Sequence, residues 1–392
     1  MDTDTEIPDL IDTKEFEQAY GEALIDVLNI DTWSRQPSLA ELVGRMTEEV
    51  EDANRREDER SKTIRAEIFP QMAHARGEGI PADIGVYRVS SDTINKVWRK
   101  ALFNGGVDGC DATRKEFPTL PLTITQIGVC LTSYRGNQQT FEHRMFQREL
   151  REAGAGLDDV YRLLNLRAGE SGYSNERSPS ILMRRGIMTY AERIVLLTES
   201  SAPWRLGHGN PAPYELLTGS GSHDLLRAGL TAVRQLVTEH KRFVFIPSEI
   251  VDKRILTLGG ALRAGEYAIV VNARQSMQKI VDGGKYNPQD RRFAEGFYNE
   301  VGPEIVIGVY RTSFETPPYV FYSHKDHCHE AALIAMADSL LQPHRGFPLL
   351  IDLADRICSL AFGNDIFDDA VKTAFTKAGA PFLYQGERLT RS

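Results

Sequence analysis

Apolar residues recur at helical spacing in the first quarter of the chain and in strand-like runs further on. Residues 14–75 read as helix. Within "SLAELVGRMTEEVEDANRREDERSKTIRAEIF", Leu39, Leu42, Val43 and Met46 form an apolar stripe among charges that alternate in sign. Ser38 followed by Glu41 has the spacing of a capping box, which marks the start of that helix. From residue 104 the texture changes. The β-branched run "LPLTITQIGVCLTSY" (120–134) predicts a strand or strand pair, 141–165 a helix, and 166–180 a polar loop. A long helix follows over 181–200, with Met183, Ile187, Tyr190 and Ile194 on one side. "YELLTGSGS" (214–222) reads as a short strand ending in a Gly/Ser turn, and 224–240 as helix. Strands are expected at 242–249, 267–272, 304–311 and 318–323, and closing helices at 329–342, 347–362 and 365–378. The sum is a mixed α/β core over residues 101–392, preceded by a helical N-terminal region over 1–100.

Composition narrows the class. A chain of 392 residues with 41% hydrophobic and 26% charged residues has enough apolar surface for a large core. No apolar run approaches the roughly 18 residues of a membrane helix. The start, "MDTDTEIPDL", lacks the basic-then-apolar order of a signal peptide, so a cytoplasmic location is expected. Cys110, Cys130, Cys328 and Cys358 are scattered without a CxxC pair, which argues against a structural zinc site or a disulfide framework. A net charge of −9 disfavours a passive nucleic-acid coat, which would be basic, but leaves room for local cationic patches.

Candidate chemistry begins at "NGGVDGCDATRKEF" (104–117). Asp108 and Asp111 flank a Gly-Cys step, with Arg114 and Lys115 behind them. A carboxylate at a strand-to-turn junction is a common way to hold a hard divalent cation, and Gly109 lets backbone or substrate come close. An ordinary Asp-Gly turn is the plainer reading. Glu192 and Glu199, seven apart on the long helix, share roughly one face, although a helical glutamate usually faces solvent. Asp355 lies in the apolar helix "RGFPLLIDLADRICSLA", where an acid must reach the surface, pair, or bind a cation. "YSHKDHCHEAA" (322–332) gathers His324, Asp326, His327, Cys328, His329 and Glu330. These are too contiguous for an ordinary tetrahedral site and suit a capped strand-to-helix junction better. There is no GxxxxGK[ST] and no GxSxG, so neither a P-loop ATPase nor an α/β-hydrolase is indicated.

The order of these pieces resembles the NurA family of DNA-processing nucleases. "VDGC" (107–110) is similar to that family's first motif, a strand ending in Asp-Gly-Ser. The helix with Glu192 or Glu199 stands where the family has a glutamate, and "YELLTGSGS", helix, "RFVFIPSE" follows the shape of its "LLDGSL", helix, "VVGVSK" segment. "GFPLLIDLADRICSLA" is similar to its terminal "YPxxLxxAD" helix. Two departures stand out: Thr218 replaces the expected aspartate, and Glu249 a frequent lysine. The resemblance implies an RNase H-like core, a homodimer, and DNA cleavage dependent on Mn²⁺ or Mg²⁺ held by Asp108, Glu192 and Asp355. Asp111 and Glu199 would be accessory ligands, and Arg114 and Lys115 phosphate contacts. It also implies a HerA-type hexameric ATPase as partner, in DNA end processing or anti-phage defence. Two rivals remain open: a catalytically weakened subunit that mainly assembles with such an ATPase, and a metal phosphoesterase built on the 324–330 cluster.

Overall fold

The computed structural model describes residues 13–33, 38–120, 122–135, 142–153, 157, 161, 181–250 and 252–384. The chain forms two compact units, residues 1–60 and 61–392. The described residues of the first are mostly helical, and its longest helix, α1 (Leu39–Thr63), continues past the boundary. Ser38 and Glu41 cap α1 reciprocally: each side chain accepts from the other's backbone N–H, both at 3.2 Å.

The second unit is built on a mixed sheet of β1 (Gly85–Arg88), β2 (Val107–Leu120), β3 (Leu122–Ser133), β4 (Glu142–Ala153), β5 (Trp204–His208), β6 (Phe243–Ile246), β7 (Glu266–Asn272), β8 (Ile305–Arg311) and β9 (Tyr319–His324). Their spatial order is β1-β7-β8-β9-β6-β5-β2-β3-β4, and a short β10 (Leu383–Tyr384) pairs with the far end of β2. β2, β3 and β4 are an antiparallel meander. β5 and β6 then return parallel to β2, each after a helical crossover. An antiparallel meander whose first strand carries two successive parallel strands on its free side is an RNase H-like core. Here β9, β8, β7 and β1 extend it as antiparallel strands.

The longer helices after α1 are α2 (Ile181–Thr198), α3 (His223–Gln235), α4 (Arg274–Gly283), α5 (Pro288–Val301), α6 (Cys328–Ser339), α7 (Leu349–Phe362) and α8 (Asn364–Ala378). β6 shows how the sheet is sandwiched. Phe243 and Phe245 join the core under α2, α3 and α5, while Val244 and Ile246 join the core under α6 and the first turn of α7. A strand covered on both faces is apolar throughout, as "FVFI" is.

Several sequence expectations change here. Residues 142–153 are strand β4 and not helix, while 157 and 161 are helical as expected; 141, 154–156, 158–160, 162–165 and the loop 166–180 lie outside the described residues. β4 is the sheet's last strand and largely exposed, so its charges "EHRMFQRELREA" have no buried side to reveal a period of two. "YELLTGSGS" is not a strand: Tyr214–Leu217 is a helical turn and Gly219–Gly221 a 3₁₀ turn. The strand between α2 and α3 is instead β5, within a stretch read as loop. Residues 85–88, within the region read as helical, are strand β1 in the main sheet.

Candidate functional site

Two glycines set the approach of α7 to the meander. A side chain at Gly109 would lie 2.6 Å from Leu350 Cγ in the first turn of α7, and one at Gly128 2.0 Å from Phe362 Cδ2 in its last. The helix therefore rests directly on β2 and β3 at both ends. Asp111, two residues beyond Gly109 and on the same face of β2, is thereby set against Asp355 in the middle of α7. Asp355 is exposed at the surface. The part of its carboxyl that faces the protein is desolvated, which raises its proton affinity, and the negative charge of Asp111 raises it further.

The other face of β2 carries α2. Cys110 Sγ lies 3.8 Å from the Glu192 carbonyl. The Glu192 side chain is buried, with 6% of its surface exposed, and is ion-paired to Arg193. Burial raises the Glu192 pKa to about 7; Arg193 opposes the rise and Asp111 adds to it. Arg193 is itself 1% exposed and is held by carbonyls of the segment after β5: His208 O at 3.2 Å, Asn210 O at 2.6 Å and Pro211 O at 3.4 Å. Its guanidinium carbon stands 4.7 Å from the centre of the Phe245 ring. β5 pairs in parallel with β2, with Cys110 opposite Gly207, so the next residues along, Asp111 and His208, meet. His208 Nδ1 is 3.3 Å from Asp111 Oδ1. Burial alone would lower the His208 pKa, but the hydrogen bond and charge of Asp111, with Glu192, raise it overall.

Asp111 and His208 thus form the centre of an acidic site, with Glu192 and Asp355 each within electrostatic reach of both. Carboxylate oxygens suit Mg²⁺ or Mn²⁺, and these charges oppose one another until a cation offsets them. Among the described residues, Asp111, Glu192 and Asp355 are not a group whose donor atoms all lie within 4.8 Å. A cation here would complete its shell with water, as Mg²⁺ commonly does. The donors are of the oxygen type that a hydrated divalent ion takes, although their atoms are not drawn together as one closed group.

The sequence-chosen residues divide between two places. Asp108 points to the face opposite Asp111. Its carboxylate accepts from Ser200 Oγ at 2.7 Å and Ala202 N at 3.3 Å, tying down the end of α2. It lines a cavity of about 260 Å³ together with Glu199, which is paired with Arg144 at 3.8 Å. No hydrogen bond or ion pair among the described residues joins either acid to the Asp111 group. Lys115 pairs with Asp368 of α8 at 3.7 Å, and Arg114 donates to the Ile181 carbonyl at 3.3 Å, so neither stands free beside the acids. Thr218 lies in a helical turn, donating to Tyr214 O at 2.8 Å and accepting from Ser220 N. At the end of the strand after α2 the chain presents His208, which the sequence reading passed over. Its signal was position: a His-Gly step midway between two helices.

The sequence matches no protein-family model and no curated protein. Among solved structures, the NurA nuclease from Sulfolobus solfataricus is similar to this chain with a TM-score of 0.46 and 8% identity, over 85% of this chain and 98% of that one. A NurA structure with manganese has a TM-score of 0.45 and 9% identity, over 86% and 98%. Endonuclease V from Bacillus subtilis has 0.32 and 11%, over 73% and 91%. With every one of these TM-scores below 0.5, the chemistry rests on this chain's own topology and side chains. No helix among the described residues is long and apolar enough to cross a membrane.

Proposed function

We propose that this chain is a divalent-metal-dependent nuclease that cleaves DNA, with Asp111, Glu192 and Asp355 as the carboxylates that hold Mn²⁺ or Mg²⁺. The observation that carries it is the meeting of Asp111 and His208 at the β2–β5 junction, with Glu192 and Asp355 alongside. When bound, the metal would supply a more acidic water and neutralise charge on the phosphodiester. The chain's own residues do the rest. Arg193 fixes the Glu192 carboxylate, Asp111 orients the His208 ring through Nδ1, and Nε2 of that ring stays available for a ligand or a proton. Asp355 and His208 keep the site open to a polymer, and a phosphodiester backbone needs such an entrance. Asp108 takes a supporting part at the end of α2.

The proposal extends to a homodimer and to a HerA-type hexameric ATPase that delivers DNA, for end processing or defence. The motif resemblance alone supports those extensions. The second reading, a subunit that only assembles with the ATPase, draws on Thr218 in place of the expected aspartate and on carboxylates whose donor atoms do not all lie within 4.8 Å of one another.

Cleavage of labelled linear and circular, single- and double-stranded DNA with Mn²⁺, Mg²⁺ or EDTA tests the assignment. Metal-dependent cutting abolished by Asp111→Asn, and within a few-fold of wild type for Asp108→Asn, is expected. Cutting that survives Asp111→Asn would move the site elsewhere, and no cutting with or without the ATPase would leave a structural subunit.

A further inference from the structure

A second group of donors lies apart from these acids. Asp83 sits in the turn before β1, and Cys328 and His329 open α6. Cys328 Sγ is 3.9 Å from Asp83 Oδ2, His329 Nε2 is 4.0 Å from Asp83 Oδ1, and one donor atom from each residue lies within 4.8 Å of the others. Apart from the long thiol contact, these separations exceed hydrogen-bond lengths. In a tetrahedral zinc shell, with Zn–S of about 2.3 Å and Zn–N or Zn–O of about 2.0 Å, neighbouring ligand atoms are about 3.3–3.5 Å apart. Reaching that spacing shortens the two Asp83 contacts by roughly half an ångström, which Asp83 on its exposed turn is placed to do, and the Cys328–His329 pair, now within 4.8 Å, by up to about 1.3 Å through side-chain rotation.

The surroundings are those of a ligand histidine. His329 Nδ1 is 2.8 Å from Tyr267 Oη, leaving Nε2 aimed at Asp83. Tyr87 meets the His329 ring edge-on at 4.7 Å and stacks on Tyr267 at 5.2 Å. Tyr87 Oη donates to the Asp83 carbonyl at 2.9 Å, so the same aromatic pair fixes both the ring and the turn. Cys328 is 1% exposed and begins a helix; burial and the Asp83 charge push its thiol up to about 11 and the helix N–H groups only partly oppose this, so the thiolate would form as a cation binds and displaces the proton. One carboxylate, one thiolate and a neutral imidazole balance the charge of a divalent cation. A cavity of about 550 Å³ adjoins the group and is lined by Asp83 and Cys328. It leaves a fourth coordination position for water or an anionic oxygen.

We propose that Asp83, Cys328 and His329 bind Zn²⁺, or a cation of similar softness, at a site distinct from the candidate nuclease centre. Its donor set favours zinc over magnesium because a thiolate is a poor ligand for a hard ion.

Full-length protein stripped with chelator and titrated with Co²⁺ provides the test. One equivalent is expected to raise a thiolate-to-cobalt charge-transfer band that Zn²⁺ displaces. Cys328→Ser should lose the band, and Asp83→Asn and His329→Gln should weaken binding at least tenfold. Tyr267→Phe should weaken it by about tenfold, and Asp111→Asn should leave the band unchanged. Circular dichroism of each variant checks folding, and if Cys328→Ser does not fold, the Asp83 and His329 variants decide. A folded wild type without the band, or a band that persists in the folded variants of all three donors, overturns the assignment.

Discussion

Asp338→Asn should flatten a pH dependence built into the joint between α6 and α7. Asp338 is fully buried on α6. Its carboxylate accepts from Leu350 N at 2.9 Å, capping the start of α7, and meets Tyr134 Oη at 2.8 Å. Burial pushes its pKa up to about 7, the charge of Asp352 adds to the rise, and the two hydrogen bonds oppose it. An unfolded aspartate titrates near 3.9. The folded chain therefore keeps a proton between about pH 4 and 7 that the unfolded chain has lost. That stabilisation is fully present below about pH 4 and disappears as pH rises through 7. At 1.36 kcal/mol per pKa unit the full span is about 4 kcal/mol, of which about 2.7 kcal/mol falls between pH 5 and 8. Asparagine can accept from Leu350 N and donate to Tyr134 without titrating. Urea unfolding of both proteins at pH 5, 6, 7 and 8 should show Asp338→Asn gaining about 3 kcal/mol on wild type across the range. A constant gap at all four pH values would refute the reasoning, since it would mean that Asp338 has one protonation state throughout.

Three further outcomes follow from the geometry. Gly109→Ala should destabilise by about 1–3 kcal/mol through overpacking against Leu350, seen in urea midpoints, and should lower DNA cleavage further by lifting Asp355 from Asp111. His208→Ala should reduce cleavage at least about tenfold while leaving the circular dichroism spectrum intact, in line with the loss of a group that supports a metal ligand. Arg184, 7% exposed, bridges Glu152 at 2.7 Å and Glu116 at 3.3 Å. Arg184→Ala should cost about 2 kcal/mol by thermal or urea unfolding, less than a fully buried pair because both glutamates are partly exposed.

Elements with one strong period were legible in the sequence. The apolar stripe and cap of α1, the apolar run of β3 and the closing helices α6 to α8 lie close to where periodicity put them. β4 was not legible because an exposed edge strand does not alternate between core and solvent. β5 was hidden because its "WRLGH" includes Arg205, which reads as loop but is buried and donates to the carbonyls of Leu196, Ser200 and Ala202. The proposed site was partly legible. Its Glu192 and Asp355 could be named from helical context, but choosing between Asp108 and Asp111 depended on which face of β2 the helix α7 covers. Residues three apart on a strand face opposite ways, and only the seating of Leu350 over Gly109 settles which one meets Asp355. The Asp-Gly pair drew the sequence reading to Asp108.

Arg193 has a consequence for the order in which the protein assembles. It brings a compensating positive charge to Glu192 from the adjacent position in the chain, and it binds three carbonyls of the segment that carries His208. The acidic centre is therefore partly neutralised and its loop pinned before any cation arrives. Small metallo-domains without another core fold only as metal binds; this chain has an extensive buried apolar core and, at the acidic centre, carries its own counter-ion. The fold should come first and the metal second, so depletion of Mn²⁺ or Mg²⁺ would silence the centre and leave a folded protein ready to be reloaded.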